Sequence, residues 1–112
     1  GTFDSQIMGK VLETVFCSES EANYYFKKGE KEIDFLLKRD EKIIPIEIKY
    51  KISHEDIKKY YKTLQSLRLN RGIVLTFEDF DEFFENGVKI LVFPVWVFLV
   101  FPEKILNKFD SV

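Results

Sequence analysis

At 112 residues, with 46% hydrophobic and 32% charged side chains, the chain is long enough to bury one core without staples, and its composition excludes a disordered or fibrous protein. A net charge of −2 rules out a chain that is strongly basic throughout, and a single cysteine, Cys17, rules out an internal disulfide framework. The longest apolar run, ILVFPVWVFLVF at residues 90–101, holds twelve residues and an internal Pro, whereas a membrane-spanning helix needs about 20.

That run reads as core or interface, so no membrane association is expected. The opening GTFDSQ has no basic-then-apolar leader and no initiator Met, which suggests a trimmed chain or an excised domain working in the cytoplasm.

In chain order, Met8, Val11, Leu12, Val15 and Phe16 recur at helical spacing, so residues 7–16 are expected to form an amphipathic helix with Glu13 at the edge of its apolar stripe. ANYYFKK and EIDFLLK then read as two strands joined by a turn around Gly29. RDEK turns the chain into a third strand, IIPIEIKY. The next segment, SHEDIKKYYKTLQSLRL, repeats Ile57, Tyr60, Tyr61, Leu64 and Leu67 at helical intervals, and Ser53 with Asp56 forms a capping box at its start. IVLTF and VKILV are strands, FEDFDEFFENG between them is expected to be a loop or short helix, and FPVWVFLV fits a closing strand or a short helix.

Charge is unevenly spread. Residues 24–76 carry thirteen Lys and Arg against eight acids, and the segments on either side are net acidic. Such a basic middle could focus a phosphate backbone onto one face, although Lys-rich strands and helices are also what solvated surfaces look like. Lys51, Lys58 and Lys62, with Lys59, Arg68 and Arg71, are the candidates for phosphate contacts.

The third strand carries the chemistry. Side chains alternate across a sheet, so Ile44, Ile46, Ile48 and Tyr50 share one face and Glu47 and Lys49 the other. The preceding strand sets Ile33, Phe35 and Leu37 against Glu32 and Asp34. If the two strands pair antiparallel through the RDEK turn, Asp34 and Glu47 approach within metal-bridging range. Close carboxylates repel unless a cation lies between them, and oxygen ligands in a partly hydrated site suit Mg²⁺ or Mn²⁺. A neighbouring lysine could orient a water or stabilise charge developing on a phosphate. A half-exposed hairpin also carries Asp, Glu and Lys on its wet face, so the constellation gains weight from the capped helix after it and the acid on the helix before it.

Asp34 in EIDFLL, followed by Glu47-Ile48-Lys49 in IPIEIKY, resembles the D…ExK signature of the PD-(D/E)xK nuclease superfamily. More narrowly, GKVLETVF, YYFKKGEKEIDFLL, IPIEIKYK, GIVLT and VKILVFPVWVFL together resemble the C-terminal nuclease-like domain of archaeal AAA-type ATPases. The resemblance covers nearly the whole chain, one domain over residues 1–112. It implies an α/β fold with a restriction-endonuclease-like αβββαβ core around a mixed sheet. It further implies that Asp34 and Glu47 bind Mg²⁺ or Mn²⁺, that Lys49 assists the attacking water, and that Glu13 joins the metal shell directly or through water.

The implied activity is hydrolysis of DNA phosphodiester bonds. The alternative is a catalytically silent DNA-binding or interaction domain attached to an ATPase domain in the same chain. A homodimer follows if the substrate is a branched junction, which needs two sites.

Four further features bear on this reading. Pro45 lies inside the strand that carries Glu47 and cannot donate to a sheet ladder, so that strand must be bulged or open on the Pro side near its start. His54 lacks a second His or Cys at ligand spacing and fits a structural or solvent role. Gln65 is a weaker candidate for an auxiliary polar residue on the helix after the motif. Trp96 and its aromatic neighbours fit core packing, or a docking surface for an ATPase domain.

Overall fold

In the computed structural model of the protein the described residues are 9, 24–28, 31–39 and 42–111, with 24–28 and the ends of 31–39 described through their backbone. They form six strands and three helices: β1 (Tyr24–Lys28), β2 (Lys31–Arg39), β3 (Lys42–Ile48), α1 (His54–Ser66), β4 (Arg71–Thr76), β5 (Asp81–Glu85), β6 (Val88–Pro94), α2 (Val95–Val100) and α3 (Pro102–Asp110). Glu13, the helix expected around it and Cys17 lie outside the described residues.

The strands make one mixed sheet in the order β1-β2-β3-β4-β6-β5. β1, β2 and β3 form the expected antiparallel meander, β3, β4 and β6 run parallel, and β5 returns antiparallel to β6. The fold class is therefore α/β with a mixed sheet, as expected.

Burial explains the central strands. RGIVLT in β4 is buried from Gly72 to Thr76, the continuous apolar pattern of a parallel strand covered on both faces. On one face Phe35, Ile44, Ile46, Ile48, Ile73 and Leu75 pack beneath α2 and α3, which supply Val95, Phe98, Ile105, Leu106 and Phe109. On the other, Val74, Val88, Ile90 and Val92 pack beneath Ile57, Tyr60, Tyr61 and Leu64 of α1.

Gly72 lets α1 lie this close to the sheet, because a Cβ there would stand 2.8 Å from Tyr60 Oη and 2.9 Å from Leu64 Cδ1. Tyr60 Oη donates to the Ile73 carbonyl at 3.1 Å and ties the helix to β4. The adjacent hydroxyl, Tyr61 Oη, is buried and meets no hydrogen-bond partner among the described residues. Burial first, and the Glu85 carboxylate second, push that phenol above its ordinary value of 10.0. The neutral form is thus favoured in the fold, and stability is lost as the pH rises above that value.

The neighbouring tyrosines should respond oppositely to loss of the hydroxyl. Tyr60→Phe is expected to lower stability by about 1 kcal/mol and Tyr61→Phe to raise it by about 1 kcal/mol, since a satisfied buried group is lost in one case and an unsatisfied one in the other. Urea denaturation of the two variants checks the signs, and two losses of equal size would contradict the assignment.

One element differs from the sequence expectation, and a second resolves an open one. FEDFDEFFENG contains a strand rather than a loop or helix: Asp81 to Glu85 pair with Val92 to Val88. The turn between them has Asn86 at φ 50° and Gly87 at φ 78°, two left-handed residues of the kind that close tight hairpins. The apolar run after Pro94 folds as α2, which buries Val95 and Phe98 but leaves Trp96 53% exposed. Trp96 is therefore not a core residue.

Candidate functional site

Pairing between β2 and β3 runs from Arg39 opposite Lys42 to Phe35 opposite Ile46. The ladder ends at that pair, and Asp34 and Glu47 are the next residues along the two strands. The register between β1 and β2 shifts between Tyr24, opposite Leu36, and Phe26, opposite Ile33, so Tyr25 is matched against both Asp34 and Phe35. The β1–β2 ladder therefore carries a β-bulge at this point.

Pro45 behaves as its chemistry requires. The Lys49 amide donates to the Leu75 carbonyl at 3.0 Å, and by alternation the missing N–H of Pro45 lies on the same, β4, side of the strand. Pairing of β3 with β4 begins one residue later, at Ile46 opposite Ile73. The strand is thus open on the Pro side near its start, and its far end, which carries Glu47 and Lys49, is anchored by β4.

The two faces of β3 separate as the alternation predicts. Ile44, Ile46 and Ile48 are buried, and Tyr50 packs against their cluster. Glu47 and Lys49 are half-buried on the α1 side. There they line a cleft of about 180 Å³ with Ile52, Val74 and, from α1, Asp56, Lys59, Tyr60 and Thr63.

The loop after β4 steadies this end of the sheet. The Phe77 amide donates to the Tyr50 carbonyl, Asp79 Oδ2 accepts from the Ile52 amide at 3.2 Å, and Thr76 Oγ1 accepts from the Asp79 amide at 2.8 Å.

Helix α1 supplies charges that the strand pattern did not reveal. Ser53 and Asp56 form the expected capping box. The Asp56 carboxylate also lies 3.9 Å from Lys49 Nζ, which brings a second described acid into the cleft. Lys59 lines the cleft, whereas Lys58 lies in a separate groove with His54, Ile57, Tyr61, Phe83, Phe84 and Glu85. Lys51, Lys62 and Gln65 are exposed. Arg68 adopts φ 59° at the end of α1, and Arg71 donates to the Phe109 carbonyl at the end of α3, where a cation complements the helix dipole. Arg71 is thus used by the fold, whereas the Arg68 side chain is exposed.

Among the described residues no three His, Cys, Asp or Glu side chains converge closely enough to hold a metal ion. The Asp34 and Glu13 carboxylates, the other two expected ligands, lie outside the described side chains. Also among the described residues, no helix is long and apolar enough to cross a membrane.

A family model for a domain of unknown function, DUF4143, matches residues 1–96. The chain belongs to the DUF4143 family. The matched span contains every candidate residue: Glu13, Asp34, Glu47, Lys49 and the charged face of α1. It ends as α2 begins, so α3, with the apolar contacts of Ile105, Leu106 and Phe109, completes the core beyond the DUF4143 match. Neither the curated proteins nor the solved structures contain a match to this DUF4143 chain.

Proposed function

We propose that this domain is a metal-dependent phosphodiesterase with a PD-(D/E)xK nuclease-like core that hydrolyses DNA, using Asp34, Glu47 and Lys49. The observation that carries the reading is the β2–β3 ladder: its last pair, Phe35 opposite Ile46, leaves Asp34 and Glu47 as the next residues of the two strands, and Glu47 lines a cleft together with Lys49. Two carboxylates brought to about 5 Å would repel by roughly 3 kcal/mol at an effective dielectric near 20. A divalent cation would turn that repulsion into attraction.

The donors fit the ion in kind: carboxylate oxygens beside a half-open cleft suit Mg²⁺ or Mn²⁺. Asp34 and Glu47 would hold it, with Glu13 completing the set directly or through water. When bound, such an ion polarises a phosphoryl oxygen and makes water a better nucleophile at neutral pH. Lys49, on the same strand as Glu47, orients the attacking water and meets the negative charge that grows on the phosphoryl oxygens. Lys59, across the cleft on α1, binds a neighbouring phosphate. The resemblance to the nuclease-like domain of AAA-type ATPases supports DNA as the substrate and an ATPase domain in the same longer chain.

Lys59→Gln is expected to weaken DNA binding and to lower the slope of log K against log salt by about 0.9, the effect of one lost phosphate contact. Lys58→Gln should leave that slope near the parent's. Fluorescence anisotropy with labelled duplex DNA over a salt series measures both, and a larger effect at Lys58 would place the backbone track in the other groove.

The function itself is tested with supercoiled plasmid, comparing Mg²⁺ with EDTA and the parent with Asp34→Ala. Nicking that needs both Mg²⁺ and Asp34 is the expected result. A folded parent that binds the metal and DNA but never nicks would instead be a catalytically silent binding domain of an ATPase.

A further inference from the structure

Asp56 has both carboxylate oxygens engaged, and they serve different parts of the fold. Oδ2 accepts from the Ser53 amide at 3.2 Å and from the Ser53 hydroxyl at 2.8 Å. The Ser53 hydroxyl oxygen accepts in turn from the Asp56 amide at 3.2 Å. This reciprocal box fixes the carboxylate at the start of α1. Oδ1 is left facing the cleft, 3.9 Å from Lys49 Nζ.

That separation is longer than the 2.7–2.9 Å typical of a charge-assisted hydrogen bond. The lysine is therefore held electrostatically but not locked, and its N–H groups stay available to a ligand. The environment makes such a hold useful. A lysine carries four flexible carbons and about 2 kcal/mol of rotamer entropy, and the Lys49 side chain is 43% exposed. Glu47, two residues earlier on the same face, would draw the ammonium back onto the strand. Lys59, one turn after Asp56 on α1, repels it from the far side of the cleft.

We infer that Asp56 is a positioning residue: the Ser53 capping box fixes its carboxylate, and that carboxylate holds the Lys49 ammonium over the cleft. The inference rests on the role proposed above for Lys49, but the geometry it claims can be measured without any cleavage. The same four-residue signature that starts α1 would then connect the helix terminus to the catalytic strand.

Nitrogen-15 relaxation of the lysine ammonium groups in the labelled protein reports the hold directly. Asp56→Asn keeps an oxygen for Ser53 and removes the charge that faces Lys49. In this variant the Lys49 ammonium is expected to become as mobile as that of exposed Lys51, while Lys51 itself is unchanged. Ser53→Ala leaves the charge but frees the carboxylate, and should mobilise Lys49 to an intermediate degree. Unchanged Lys49 mobility in Asp56→Asn would overturn the inference.

In cleavage assays Asp56→Asn should lower kcat about tenfold with KM within about twofold, the signature of a misplaced rather than a missing group. The loss should vanish when Lys49 is already Met. Full activity in a variant whose Lys49 is mobile would overturn the link to catalysis. A parent that does not cleave defeats the nuclease reading and leaves the positioning claim to the relaxation result.

Discussion

Glu47→Gln is expected to abolish metal-dependent DNA cleavage, by at least about 10²-fold in kcat, while the domain stays folded. The substitution keeps the side chain's size and its hydrogen-bonding oxygen and removes only the charge. Glu47 stands half-buried on the β3 face that looks toward α1, one residue beyond the last β2–β3 pair, Phe35 opposite Ile46. If its carboxylate shares a cation with a second carboxylate, neutralising it removes a ligand from the site. Without metal, thermal unfolding in EDTA should show the variant folded, with a stability close to the parent's. This pairing of lost activity with unharmed stability marks a group placed for function rather than for folding. A variant that unfolds together with its loss of activity would make Glu47 a structural residue.

One position away the balance reverses. Ile46 is 0% exposed and lies in the cluster that joins β3 and β4 to α2 and α3. Ile46→Ala removes three carbons from a packed core, and the expected loss is about 2–5 kcal/mol. For a domain of this size that corresponds to a fall in Tm of at least about 8 °C. At permissive temperature the metal affinity of the folded fraction should be close to the parent's, since the side chain faces away from the cleft. A loss below about 1 kcal/mol, read from denaturant titration, would contradict the two-faced account of this strand.

Much of this arrangement is written in residue spacing. The Ile-Glu-Ile-Lys alternation of β3 needs no tertiary information to separate an apolar face from a charged one, and the short RDEK turn leaves an antiparallel partner as the simple solution. Ser53 and Asp56 announce the start of α1 by local chemistry alone. Strand β5 was harder to see because DEFFE is acidic and aromatic without a clean period, although Asn86-Gly87 is a strong hairpin signal. Helix α2 hides in an apolar run that gives no periodicity to read. Helix α3 was not anticipated, although Pro102 at its start and the buried Ile105, Leu106 and Phe109 give it an amphipathic pattern.

The α1 half of the cleft could not be read from spacing. Lys58, Lys59 and Lys62 all lie on one helix, and which of them meets Glu47 depends on how α1 is rotated over β4. Close packing at Gly72 and the Tyr60 hydrogen bond to Ile73 set that rotation. Asp56 reads as a cap along the sequence and becomes a neighbour of Lys49 only when the helix docks.

The central claim is that Asp34 and Glu47 form one cation site across the β2–β3 hairpin. Calorimetric titration with Mn²⁺ of the parent, Asp34→Ala and Glu47→Ala tests it most directly. Saturable binding in the parent that is lost in both variants, each still folded by circular dichroism, is the predicted result. Equal Mn²⁺ binding in all three proteins would contradict it, and would return Glu47 and Lys49 to the status of charges on a solvated strand.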